Sequence, residues 1–378
     1  MSSRGTVAVQ ALVPPQPRVS DPATVHLDAV SYYFLFDYLR FVLAAGVFAV
    51  HADAQGVLPK YLSDVCVKVF FALSGFLIGG ILLRTRPRDL PRFYFNRVTR
   101  IWIPYAIAIA LLFTATVVSR QPLTLRTGEF FFYKISFVYN LFGPPQLERF
   151  RALMPLSGTG NHFWSICLEE QFYLLAPLAI IFLRRFRVPF LIAVWFTGAI
   201  FPNTSVDFSP VALGVLLAIS KERFGTWYLR TPWMISCLAL CLVSAAGVTY
   251  GLPSPDVSAD IFAVCVVALL ARNGPRLPLG EWVGGLSYPA YLNHWIGLVM
   301  RKRLALMLGF GTAATNIAAA IFAIALALFH FAAVDRRVLR ARISWYTPRR
   351  GAICCAFAYG LLIIGVVGGF LIAPVRAH

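Results

Sequence analysis

Charge is scarce in this sequence, and acidic charge is scarcest. Only 13% of the 378 residues are Asp, Glu, Lys or Arg, and 16 acidic residues stand against 34 basic ones. A chain so poor in charge and 59% hydrophobic falls outside the ordinary soluble class. Metal-site and disulfide signatures are missing as well: the seven cysteines lie mainly within apolar segments, with no CxxC pair and no ligand spacing to histidine. Residues 1–30 carry Pro14, Pro15, Pro17 and Pro22 but no apolar core of signal-peptide kind. They read as a flexible cytoplasmic tail, which leaves the first span to direct insertion. Alternating strands of barrel type are not visible, nor is an internal repeat with the symmetry of secondary transporters.

What is abundant is apolar length. A hydrocarbon core takes about 20 helical residues to cross. Apolar segments of that order recur at 33–52, 65–83, 101–119, 163–183, 188–201, 206–220, 233–250, 259–271, 285–300, 313–334 and 353–373. These eleven, of which the fifth, sixth and eighth are short, predict an all-α polytopic membrane bundle of 10–11 helices. The segments 188–201 and 206–220 could instead form one re-entrant hairpin, and the aromatic run at 130–142 reads as an interfacial or partly re-entrant helix. A formal charge of +18 would suggest nucleic acid in a soluble protein, so the placement of the 34 basic residues matters. With a cytoplasmic N-terminus, 22 of them fall inside and 10 outside, and Arg40 and Lys68 lie within spans. That bias selects an N-in, C-out topology, with membrane lipid rather than nucleic acid as the surrounding partner. The triplet Arg301–Arg303 runs against it.

Charge inside a bilayer costs roughly 2.5–3.5 kcal/mol per residue at a helix centre, so each case asks for a reason. On the first span Arg40 and His51 are eleven steps apart. That brings them within about 20° of one helical face, separated by about 16 Å along the axis. Asp37 is spaced to pair with Arg40, and His51 has the pKa range for proton transfer. Spacing alone leaves open a snorkelling arginine and an interfacial histidine. The fourth span holds Glu169 and Glu170, about 100° apart. One is expected to face a cavity and the other to pair with a buried cation, with Ser165 and Tyr173 extending a polar stripe at i−4 and i+4. A purely structural ion pair is the other reading. Ser74-Gly75 on the second span allows close helix approach or a local break. Arg97 and Arg100, three apart, share a face where phosphate could be held, or else serve orientation alone. Tyr291 and His294 lie in a polar interruption of an apolar helix, where they could contact substrate or only a neighbouring helix.

Together these stretches resemble the acyltransferase family 3 of membrane O-acyltransferases acting on bacterial surface sugars and glycosides. The resemblance covers roughly residues 32–340. It rests on Arg40 and His51 as an Arg-X10-His pair, FFALSGFLI at 70–78, Arg97-Val-Thr-Arg100 before Ile-Trp-Ile-Pro, FWSICLEEQFYLL at 163–175 and LSYPAYLNHW at 286–295. Two positions depart from the family pattern: Asp335-Arg336-Arg337 stands where Glu-Arg-Pro is common, and Lys68 where Asp often occurs. Some relatives carry a C-terminal soluble hydrolase-like domain. Here residues 31–342 read as the acyltransferase domain and 343–378 as one further helix, so transfer is expected at the membrane part itself.

The resemblance implies an acyl-CoA co-substrate, most often acetyl-CoA, with no bound cofactor and no metal. It also implies a carbohydrate or glycolipid hydroxyl as acceptor and a bacterial inner-membrane location. The catalytic set it suggests is His51, Arg40, Glu169 and Glu170. Arg97, Arg100, Ser74 and Gly75 would serve the donor, with Arg40 or a backbone donor near Ser74-Gly75 on the oxyanion, and Tyr291 and His294 would serve the acceptor. A multi-pass transporter or flippase of a glycan or lipid-linked substrate is the alternative from another class, since buried charges and broken helices occur there too. A non-catalytic scaffold would leave those charges without purpose.

Overall fold

The computed structural model describes residues 32–53, 56–59, 61–120, 123–143, 154–201, 206–251, 254–309 and 311–372. The expected tail at 1–30 lies outside these, and the compact unit that holds the helices begins at Tyr33. No strand occurs among the described residues. Each of the eleven apolar segments is a helix: α1 (Phe34–Ala52), α2 (Tyr61–Leu82), α3 (Leu90–Arg97) running into α4 (Ile103–Val118), α7 (Phe163–Pro177), α8 (Arg187–Ile200), α9 (Ser209–Phe224), α10 (Thr231–Tyr250), α11 (Pro255–Leu270), α12 (Pro278–Leu308), α13 (Thr312–His330) and α15 (Pro348–Ile372). The aromatic loop contributes α5 (Leu125–Ile135) and α6 (Tyr139–Phe142), and α14 (Arg336–Trp345) extends α13. Seven of these helices are long and apolar enough to cross a membrane, which makes this a multi-pass membrane protein. The segments expected to be short are α8, α9 and α11, at 14, 16 and 16 residues.

The centre of the bundle is α2. Phe36 of α1 meets Phe76, and a Cβ on Gly46 would meet Cys66, so α1 and α2 run antiparallel. On its other side α2 runs parallel to α9 at backbone contact: a Cβ on Gly75 would collide with the Val211 carbonyl oxygen, and one on Gly214 with that of Ala72. Gly75 and Gly79, four apart, form the small-residue seam that permits this. The Ser74-Gly75 pair therefore serves close approach and makes no break, since α2 is continuous through it. On α15 the buried residues are Gly351, Ala358, Gly365 and Gly369, a single stripe at i, i+7, i+14, i+18. It seats that helix on Pro91, Ser136 and Phe142.

Lys68 has a structural partner set. Its ammonium lies 2.7 Å from Asp260, 3.0 Å from Asp207 and 3.6 Å from Asp256. Paired in this way from three directions, the lysine avoids the cost of an isolated buried charge and ties α2 to α11 and to the entry of α9.

Three turns of π-helix interrupt the bundle, at Val98–Trp102, Leu178–Phe182 and Phe331–Asp335. The first has a local cause. Pro104 lacks the N–H that would close an α-turn onto residue 100, so the helix widens there. The Tyr288 hydroxyl donates to the Ile101 carbonyl oxygen at 3.1 Å, binding the widened turn to α12.

Candidate active site

The structure arranges several of the sequence-selected residues along one polar line through the bundle, with His51 at one end and the arginines at the other, and leaves Gly75 and Glu170 facing elsewhere. At the His51 end, the last turn of α1 meets the middle of α12 and the entry of α7. His51 Nδ1 lies 3.1 Å from His294 Nε2. His294 Nδ1 lies 2.7 Å from the Tyr291 carbonyl oxygen, one turn earlier on the same helix. A third ring, His162, sits immediately before α7 with its centre 4.3 Å from that of His294, and its Nε2 lies 3.3 Å from the Leu292 carbonyl oxygen. Burial, with His294 and His51 close by, holds the His162 imidazole well below the ordinary histidine range. Three histidines so close raise the question of a metal, but among the described residues no group of His, Cys, Asp and Glu has the geometry to hold one.

His51 and His162 border a cavity of about 260 Å³ that is also lined by Asp64, Asn161, Tyr291 and Arg301, with His294 behind them. The cavity suits a small hydroxylated group more than a whole drug-sized ligand. Tyr291 and Ser165 join hydroxyls at 2.5 Å in its wall, so Ser165 points to α12 and not along the Glu169 stripe. Arg301 explains part of the basic triplet at this end. Its guanidinium donates to the Ala52 carbonyl oxygen and, at 3.3 Å, to Asn316, capping the end of α1 beside His51.

Deeper along α7, Glu169 accepts from the hydroxyls of Ser74 and of Tyr173, the i+4 neighbour expected from spacing. Glu170 faces elsewhere. One of its oxygens accepts from the Trp102 indole at 2.7 Å, and the other is buried without a hydrogen bond. Where a buried cation was expected beside one of the two carboxylates, the group in direct contact with Glu170 is an indole. Arg97 lies over the rings of Tyr173 and Phe93, 5.2 and 5.7 Å from their centres, with its Nε buried and unbonded. Arg40 pairs with Asp37 at 3.0 Å, as its spacing predicts. A Cβ on Gly284 of α12 would come within 2.5 Å of that carboxylate, so glycine leaves room for the pair. Arg40 lies within electrostatic range of Arg100 and Glu169, and Arg342 within range of Arg100 and Arg97. Arg97 is half-buried and Arg100 exposed, because the π turn begins between them. Gly75, on the α9 side of α2, is a packing residue.

His162 is absent from the set chosen by sequence. The signal available was the pair Asn161-His162 directly before an apolar run, which reads as an ordinary helix boundary until α12 is placed beside it.

The family described as an acyltransferase domain, family 3, matches residues 35–334, from the start of α1 to the π turn that follows α13. The chain belongs to this family. The chain is also similar to the curated protein named O-acetyltransferase OatA of Staphylococcus aureus, in strains NCTC 8325 / PS 47, COL and MRSA252. Each is 29% identical over 217 residues, covering 53% of this chain and 33% of the relative. The match thus spans about a third of the length of these relatives. No solved structure matches it. The family's matched region contains every residue of the polar line except Arg342.

Proposed function

We propose that this protein is a membrane-bound O-acyltransferase that moves an acyl group, acetyl in the simplest case, from acyl-CoA to a hydroxyl of a carbohydrate-containing acceptor. The observation that carries this reading is the polar line itself. His51, bonded to His294, borders a cavity at one end, and Arg97, Arg100 and Arg342 gather at the other. In this mechanism the arginines hold the donor's phosphates, and the acyl arm passes Glu169, Ser74 and Tyr173. His51 takes the proton of an acceptor hydroxyl in the cavity. The acceptor oxygen bonds the acyl carbon, the C–S bond breaks, and the coenzyme leaves as its thiolate.

Two assignments suggested by sequence change within this reading. Arg40 is about 16 Å below His51 along α1, out of reach of a tetrahedral centre formed beside that imidazole, so it belongs with the donor arm. Gly75 has no free backbone donor inside a continuous helix and leaves the donor set. Glu169 remains as the carboxylate that gathers Ser74 and Tyr173, while Glu170 fixes Trp102.

The orientation proposed is N-in within a bacterial inner membrane, which puts the arginine end on the cytoplasmic side where acyl-CoA is made. The 22 inner and 10 outer basic residues support it. Cysteine-accessibility labelling at Arg301–Arg303 should report the outer face, and a cytoplasmic result there would reverse the orientation. Activity is tested by thiol release from acetyl-CoA by the purified protein, together with mass spectrometry of surface glycans and glycosides from a deletion strain. No loss of O-acyl groups and no acetyl-CoA turnover would end the enzyme reading.

A further inference from the structure

A general base at His51 can take the proton on either of two nitrogens. The hydrogen bonds around His294 decide which. A carbonyl oxygen only accepts, so the contact of 2.7 Å between His294 Nδ1 and the Tyr291 carbonyl means that Nδ1 carries the hydrogen. A neutral imidazole has a single N–H, so His294 Nε2 is an acceptor. The hydrogen in the 3.1 Å contact therefore belongs to His51 Nδ1. His51 Nε2 keeps its lone pair, on a ring that lines the cavity.

The ring geometry favours a strong version of that bond. The planes of His51 and His294 are tilted by only 13° and their centres are 5.2 Å apart. An imidazole nitrogen sits about 1.1 Å from its ring centre, so a straight in-plane N–H···N bond would separate the centres by about 5.3 Å. The two rings are thus joined edge to edge, with the hydrogen on the line between them, and are not stacked face to face. His162 is held by the neighbouring carbonyl of α12. Its Nε2 donates to Leu292, which leaves Nδ1 as a buried lone pair without a partner. Two rings are therefore fixed in opposite tautomers by consecutive carbonyls of one helix, and only His51 is exposed.

We propose, on the basis that His51 is the general base, that His294 is its positioning partner and not a residue that touches the acceptor. His294 holds His51 as the Nδ1–H tautomer, with Nε2 free to act in the cavity. When the acceptor hydroxyl gives its proton to His51 Nε2, the His51 imidazolium keeps its Nδ1–H bond to His294 Nε2, which stays an acceptor. His51 Nε2 then hands the proton to cavity water as the coenzyme thiolate departs. The Tyr291 carbonyl takes the part that a buried carboxylate takes in a triad, orienting the second ring without introducing a charge.

The full-length protein in detergent, with acetyl-CoA as donor and N-acetylglucosamine as acceptor probe, tests this by thiol release. His294→Leu removes the acceptor of the His51 N–H and should lower kcat about 100-fold with little change in the KM of acetyl-CoA. His294→Gln places an amide oxygen near the position of Nε2, keeps the tautomer and should recover the rate to within about tenfold of the parent. Equal losses in both variants, or a rise in the acceptor's KM at unchanged kcat, would overturn the positioning role and return His294 to acceptor binding. His51→Asn separates the positioning role from the base on which it depends. If it is inactive while His294→Leu is fully active, the positioning role fails alone; if it is active, the base assignment fails first. Abundance by size-exclusion chromatography distinguishes any loss of folding, and a folded, inactive His294→Leu with rescue by Gln is the supporting result.

Discussion

The two ends of the polar line treat charge and hydrogen bonding differently. At the His51 end both nitrogens of His294 are bonded, and the Ser165 and Tyr291 hydroxyls are joined to each other. Arg301 there donates to the Ala52 carbonyl oxygen and to Asn316. At the other end Arg97 Nε and one Glu170 oxygen are buried without partners, and Arg40, Arg97, Arg100 and Arg342 crowd like charges together. A site that moves a proton must define which atom carries it. A site that waits for a polyanion can leave cations incompletely satisfied, because the ligand completes them. The proposed division of the line into a chemical end and a binding end rests on that contrast.

The contrast breaks most sharply at His51. His51→Asn keeps a polar group that cannot take the proton, so turnover should fall about 100- to 10,000-fold with unchanged abundance and donor affinity. Near-parental activity in steady-state assays would remove the chemical end altogether. A smaller effect is expected at the arginines. Arg97→Ala and Arg100→Ala should each raise the apparent KM for acetyl-CoA about tenfold, with kcat nearly intact, because phosphate holding is ground-state binding remote from the carbonyl. Donor titrations that give the parental affinity in both variants would leave this end without a ligand. The smallest effect is expected in the cavity wall: Ser165→Ala deletes one hydroxyl bonded to Tyr291 and should cost about 1 kcal/mol of thermal stability with turnover within a few-fold. A loss comparable to His51→Asn would move the chemistry toward that hydroxyl pair.

Local spacing was enough for several pairs on one helix, though not for Ser165, which leaves the Glu169 stripe for α12. The eleven apolar segments are helices, Asp37 pairs with Arg40, and Tyr173 reaches Glu169 one turn away. Contacts between helices were not legible. Glu170 meets Trp102, and Ser165 meets Tyr291 126 residues away. His51 meets His294 243 residues away. The shared face expected of Arg97 and Arg100 assumes an α-helical turn between them. Pro104 is visible in sequence, but the π turn also depends on Tyr288 of α12 bonding the Ile101 carbonyl. His162 illustrates the same limit, since nothing local marks a boundary histidine as one that will lie beside two others.

The Lys68 cluster has a consequence in time. Its three carboxylates lie 139 to 192 residues further along the chain. At a synthesis rate of about 5–20 residues per second, roughly ten to forty seconds separate the emergence of α2 from that of Asp260. Before Asp207 emerges, the ammonium has Asp64, one turn earlier on α2, within electrostatic range. An unpaired charge there costs roughly 2.5–3.5 kcal/mol, carried by a helix whose mean hydropathy is 2.2. The centre of the bundle is therefore threaded into the membrane early, and its full set of ion pairs closes late, when both α9 and α11 have been made.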